Sequence, residues 1–175
     1  MSVKKLLDEF SRDDTSRPDT MDGQTKLARA EIEKRLIRIN RCFAEIILPA
    51  LFEVENDLNQ AGFWNQMHIG QSTSLESGKP NIKETALYFY PERTEHPPKE
   101  PEKMESAAYR ARIRASGNLR ELHFSIQFPK RIPTTVEVEE ETLGLDEIGT
   151  DQVNAFLEKF VKGALDAYNS DRMLF

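Results

Sequence analysis

Residues 109–128, YRARIRASGNLRELHFSIQF, alternate with period two on both sides of Gly117-Asn118, and this double alternation constrains the fold more than any other feature. Successive side chains of a strand point to opposite faces, and a Gly-Asn pair suits a two-residue hairpin turn. Closing a hairpin there sets Ile113 opposite Leu122, Ala111 opposite Phe124 and Tyr109 opposite Ile126 on one face. The other face then pairs Arg114 with Glu121, Arg112 with His123 and Arg110 with Ser125. A slip of one residue would mix the two faces. The chain is thus committed to an antiparallel sheet with one apolar and one wet face.

Three more period-two stretches extend the sheet. FWNQMHIGQSTSL and TALYFYP read as strands joined by a turn around SGKPN, and TTVEVEEE reads as a fifth strand after the loop PKRIP. If Val136 and Val138 join the apolar face, Ile126 pairs with Val136 and Phe124 with Val138. Glu137 and Glu139 then stand beside Ser125 and His123 on the arginine side.

The sheet is framed by two helices. Ile32, Leu36, Ile39, Phe43, Ile46, Ala50, Val54, Leu58 and Ala61 recur at spacings of three and four, which predicts one long helix from about Gln24 to Ala61. Pro49 should bend or split it, because proline lacks an N–H and crowds the preceding turn. Gly62 is placed as the left-handed residue past the helix end, with Phe63 folding back on Leu58. Thr150 is the expected N-cap of a second helix whose apolar face is Val153, Phe156, Leu157, Phe160, Val161, Ala164, Leu165 and Tyr168. The predicted fold is α+β in two layers: a long N-terminal helix, a five-stranded antiparallel meander and a C-terminal helix.

At 175 residues the chain is long enough for one domain with a substantial core. Residues 1–23 read as a flexible N-terminal tail and 24–175 as a single domain with a Pro- and charge-rich loop at 91–105. Within the tail, Val3, Leu6, Leu7 and Phe10 follow helical spacing, a candidate partner-binding segment. Asp8 and Glu9 interrupt what a secretory leader would need, and Cys42 is the sole cysteine, so a cytoplasmic protein is expected. No stretch is long and apolar enough for a membrane span.

Charge adds a further constraint. The net charge of −6 argues against a dedicated nucleic-acid binder without excluding a local basic patch. On the long helix the charges segregate. Lys26, Arg29, Lys34, Arg35, Arg38 and Arg41 against Glu31 and Glu33 give +4 over 24–41, and Glu45, Glu53, Glu55 and Asp57 give −4 over 42–61. Two antiparallel copies would place opposite charges side by side, which motivates a homodimer.

Motifs for chemistry are missing. The sequence contains no dinucleotide-binding or phosphate-binding glycine loop, no zinc-protease helix and no nucleophile elbow. His68, His96 and His123 lie on separate predicted elements without a second ligand at metal spacing. No catalytic residue, metal or cofactor is therefore expected. Arg110, Arg112, Arg114 and His123, flanked by Tyr88 and Tyr90, form the one candidate anion or ligand face. Its simpler reading is a solvated sheet face neutralised by its own glutamates.

The helix–sheet–helix order, small size and acidic charge resemble in outline the type III secretion chaperones. That resemblance implies a dimer that binds an extended segment of a partner. The unbroken meander departs from that family's pattern, so no groove can be carried over. The charge-segregated helix, the amphipathic start and the proline-rich excursion at 91–105 lead to an expectation of non-enzymatic binding or adaptor activity towards a protein partner, in a dimer. The alternative is an anionic-ligand or single-stranded nucleic-acid binder using the arginine face.

Overall fold

A single helical run, Thr20 to Gln60, opens the architecture, but it is not one regular helix. In the computed structural model, which describes residues 20–73, 80–91, 109–129 and 136–173, α1 spans Thr20–Cys42 and α2 spans Leu48–Gln60. Between them Phe43–Ile47 form a π-helical turn in which the Leu48 N–H bonds to the Phe43 carbonyl. The cause is Pro49, which the sequence expects to bend or split the helix. In an α-helix its missing N–H would strand the Glu45 carbonyl and its ring would crowd that turn. Widening the preceding turn shifts the ladder by one residue, and Pro49 then lies in the first turn of α2, where proline is tolerated.

The extra residue also rotates the buried face. Ile39, Phe43, Ala50 and Leu58 of the expected stripe are buried, yet Cys42, Ile47 and Leu51 join them, and Ala61 is exposed. α2 ends as anticipated. Gly62 has φ +81°, its N–H bonds to Asn59 O at 3.1 Å, and the Phe63 N–H reaches Leu58 O at 3.0 Å. These are the two bonds of a Schellman cap.

The chain divides into two compact units, Met1–Ile37 and Arg38–Phe175. In the first, residues 28–34 and Ile37 of α1 are exposed, and Arg35 pairs with Glu31 one turn away at 3.4 Å. The second unit holds the sheet, with strands β1 (Trp64–Thr73), β2 (Pro80–Tyr90), β3 (Tyr109–Ala115), β4 (Glu121–Pro129) and β5 (Val136–Gly144) in sequential antiparallel order. A short turn of 3-10 helix, Leu145–Glu147, leads to α3, Thr150–Met173. The fold class is as expected: mixed α+β, a five-stranded antiparallel sheet with helices before and after it.

Two registers differ from the sequence reading. β3 and β4 pair Ile113 with Phe124, Ala111 with Ile126 and Arg112 with Ser125, two residues off the expected alignment. The apolar and polar faces survive because an even slip preserves them. The turn chemistry decides the matter. The Ser116 N–H bonds to Glu121 O, and the loop between them is held by Asn118, whose Oδ1 accepts from Ser116 Oγ at 2.6 Å and from the Arg120 N–H at 3.0 Å. Leu119 takes the left-handed conformation at φ 59°, a strain offset by its packing against the core.

The β4–β5 register departs by an odd number, so the faces invert. Glu139 pairs with Ile126, Glu141 with Phe124 and Val138 with Gln127. Val138 consequently lies on the arginine side and is 49% exposed, while Glu139 and Glu141 lie on the helix side. The reason is that β5 is an edge strand, where inward-pointing charges are tolerated and discourage further strand pairing.

α2 packs on β1, and α3 packs on β3 and β4 as well as on α2. Leu87, Phe89, Tyr109, Ala111, Ile113, Leu122, Phe124, Ile126 and Phe128 supply the sheet side of the core. Aromatic rings link its layers: Phe89 meets Phe63 and Phe160 edge-on at 5.4 and 6.3 Å, and Phe124 meets Phe156 at 5.0 Å. Each fully buried side chain of this size stabilises the fold by roughly 1.5–3 kcal/mol. Gly149, one residue before the expected Thr150, caps α3. Its carbonyl accepts the Val153 N–H, and its own N–H donates to Gln152 Oε1 at 2.9 Å.

Candidate functional sites: an arginine face and an acidic groove

The six residues of the predicted ligand face do come together. Tyr88 stands opposite Arg110, and Ala86 opposite Arg112, on the outer face of β2 and β3; Arg114 stands opposite His123 on β4. Tyr90 continues the same face of β2. What this face offers a ligand is limited by its own pairing. The Arg112 Nε donates to the Glu84 carboxylate, with the two side chains only 29% and 33% exposed. Arg110 Nη2 donates to Gln127 Oε1 at 2.5 Å, and the His123 ring meets Thr142 Oγ1 at 2.9 Å. The hydrogen bond from Arg112, with help from the nearby cations, holds the Glu84 carboxyl below its ordinary value, and the same bond raises the Arg112 guanidinium. The glutamate that pairs with Arg112 is therefore Glu84 of β2, whereas Glu137 and Glu139 of β5 lie on the helix side.

Val3, Leu6, Leu7 and Phe10 lie outside the described residues, as does nearly all of the 91–105 loop and His96. Cys42 is buried, and burial pushes its thiol above the ordinary value, which suits an inert side chain. Among the described residues no group of three or more His, Cys, Asp or Glu side chains is arranged to hold a metal ion. No helix among them is long and apolar enough to cross a membrane.

A second site lies between α2 and α3, on elements separated by nearly one hundred residues of sequence. Ala50, Val54 and Leu58 from α2 and Leu157, Val161 and Leu165 from α3 form its apolar lining, and the groove encloses about 470 Å³. Glu53 and Asp57 edge it on one side and Glu158 and Asp166 on the other, with Lys162 as the cation in the lining. The sequence reading assigns these apolar residues to core stripes, and Glu53 and Asp57 to the acidic half of the long helix, but gives Glu158 and Asp166 no role. The two helices contact each other, yet Val54, Val161 and Leu165 along the groove are only half-buried.

A third recess, about 580 Å³, is lined by Phe124, Ile126 and Phe156, with Glu139, Glu141 and Lys159 at its margin. It follows from the inverted register of β5, whose carboxylates cannot fill the space an apolar pair would occupy. Comparison with protein-family models, with curated proteins and with solved structures finds no match.

Proposed function

We propose that the protein is a non-enzymatic binding protein, cytoplasmic in location, that receives a basic amphipathic helix of a protein partner in the α2–α3 groove. The observation that carries this reading is the groove itself, an apolar lining between two helices edged by Glu53, Asp57, Glu158 and Asp166. Grooves of this form accept the apolar face of a helix, read as anchors at i, i+3, i+4 and i+7. Carboxylates on both sides favour a basic partner and speed its encounter.

The test uses a labelled synthetic helix with leucine at those anchor positions and lysine elsewhere, and a second in which glutamate replaces lysine. Fluorescence anisotropy should show binding of the basic peptide alone, weakened at least tenfold by Val161→Asp. Equal binding of both peptides, or of neither, overturns the reading.

One observation favours the arginine face as a second reading. The Arg110 Nε is buried without a hydrogen-bond partner among the described residues, leaving a donor that an anion could satisfy. Salt-sensitive binding of a single-stranded oligonucleotide, reduced in Arg110→Ala, is its expected signature. No binding at low salt removes it.

A further inference from the structure

The groove carries a negative rim, and the same chain carries a helix face of the opposite kind. Ala30, Lys34, Ile37 and Arg41 follow one another at i, i+4, i+7 and i+11 on α1, and all four are exposed. Ile37, 52% exposed, is an apolar anchor between two cations. The groove presents the complement: leucine and valine in its lining, carboxylates at its edges.

Resting on the groove reading above, we propose that the occupant of the α2–α3 groove is α1 of a second copy, docked through Ala30, Lys34, Ile37 and Arg41. A twofold arrangement satisfies both copies at once, because each contributes one helix and one groove, and such an interface closes at two. The first nineteen residues are not the occupant. Lys4, Lys5, Arg12 and Arg17 are outnumbered there by Asp8, Glu9, Asp13, Asp14 and Asp19, so they would add negative charge to a negative rim. A foreign basic helix has to displace α1, which makes partner capture an exchange reaction governed by the relative fit of the two helices.

Light scattering of the full chain should give a mass near twice 20.1 kDa. Two variants then separate the elements: Lys34→Glu/Arg41→Glu on the helix and Asp57→Lys/Asp166→Lys in the groove. Each alone should weaken self-association at least tenfold, since like charges would meet at the rim. An equimolar mixture should regain the dimer, because normal meets normal at one contact and reversed meets reversed at the other. Circular dichroism melting verifies that both variants fold. A synthetic peptide of residues 24–41 should bind the helix variant and fail to bind the groove variant.

A wild-type monomer at about 100 µM overturns self-docking, as does a dimer indifferent to both variants or a mixture that stays monomeric. If the basic peptide still binds in those cases, the groove reading survives and only the identity of its occupant was mistaken. If the peptide fails as well, both fall.

Discussion

Glu139 of the edge strand accepts Lys159 Nζ of α3 at 2.8 Å, on the side of the sheet where its neighbour β4 presents Phe124 and Ile126. The pair is exposed, and its carboxylate raises the lysine pKa. An exposed pair contributes little to folding. Its value lies in placing charge where an unprotected edge would otherwise be apolar.

Replacing Glu139 and Glu141 together with valine should therefore leave folding intact and introduce concentration-dependent association. Dynamic light scattering over a dilution series checks this. Lys159→Ala, which removes the pair but keeps the carboxylates, should leave both the melting midpoint and the association state unchanged.

Glu84 governs a pH effect on stability. Its folded carboxyl lies below the ordinary carboxylate value because of the hydrogen bond from Arg112. The resulting stabilisation is present above the unfolded-state pKa, about 4.3, and is lost as pH falls through the depressed folded value. Glu84→Gln should cost about 1 kcal/mol near neutral pH, a modest figure because both side chains keep some contact with water. The difference from wild type should begin to narrow near the unfolded-state value and close only once the pH has passed below the depressed folded value, as read in urea titrations.

Phe160 is fully buried and stacks edge-on against Phe89, which in turn meets Phe63 just after α2. Removing it opens a cavity beneath both α3 and the sheet. Phe160→Ala should destabilise by about 3–5 kcal/mol, read from the denaturation midpoint at unchanged slope.

Gly62 at φ +81° has open space where a Cβ would be, so substitution there meets backbone strain without a clash. Gly62→Ala should cost about 1 kcal/mol, and Gly62→Asn less, since asparagine tolerates the left-handed region. Equal stabilities for the three would mean that the cap rearranges.

The faces of β3 and β4 were legible because burial fixes parity, but parity does not fix register. The two-residue slip at Ser116–Glu121 was decided by the hydrogen bonds that Asn118 Oδ1 accepts from Ser116 Oγ and the Arg120 N–H, which compete with the Gly-Asn turn that the pattern favours. β5 was misread for a related reason. Val136 and Val138 carry the right alternation, yet an edge strand is only partly covered and exerts a weak demand on which face is apolar.

The long helix was legible in extent but not in phase. Pro49 signalled an irregularity, and its resolution as a π turn brought Ile47 and Leu51 into the core in place of a continuous stripe. The groove was illegible for a different reason. In sequence, Val54 and Leu58 are separated from Val161 and Leu165 by the whole sheet, and no local pattern shows that the four line one groove. The one available hint was breadth: both helices carry more apolar positions than contact with a sheet requires.

The guarded edge also limits how copies of this chain can grow. β5 brings glutamates against any strand that approaches it, whereas β1, WNQMHIGQST, has no acidic residue, lysine, arginine or proline along its length. A filament of stacked sheets needs a receptive edge on both sides of each molecule, so the asymmetry between the outermost strands works against that kind of growth.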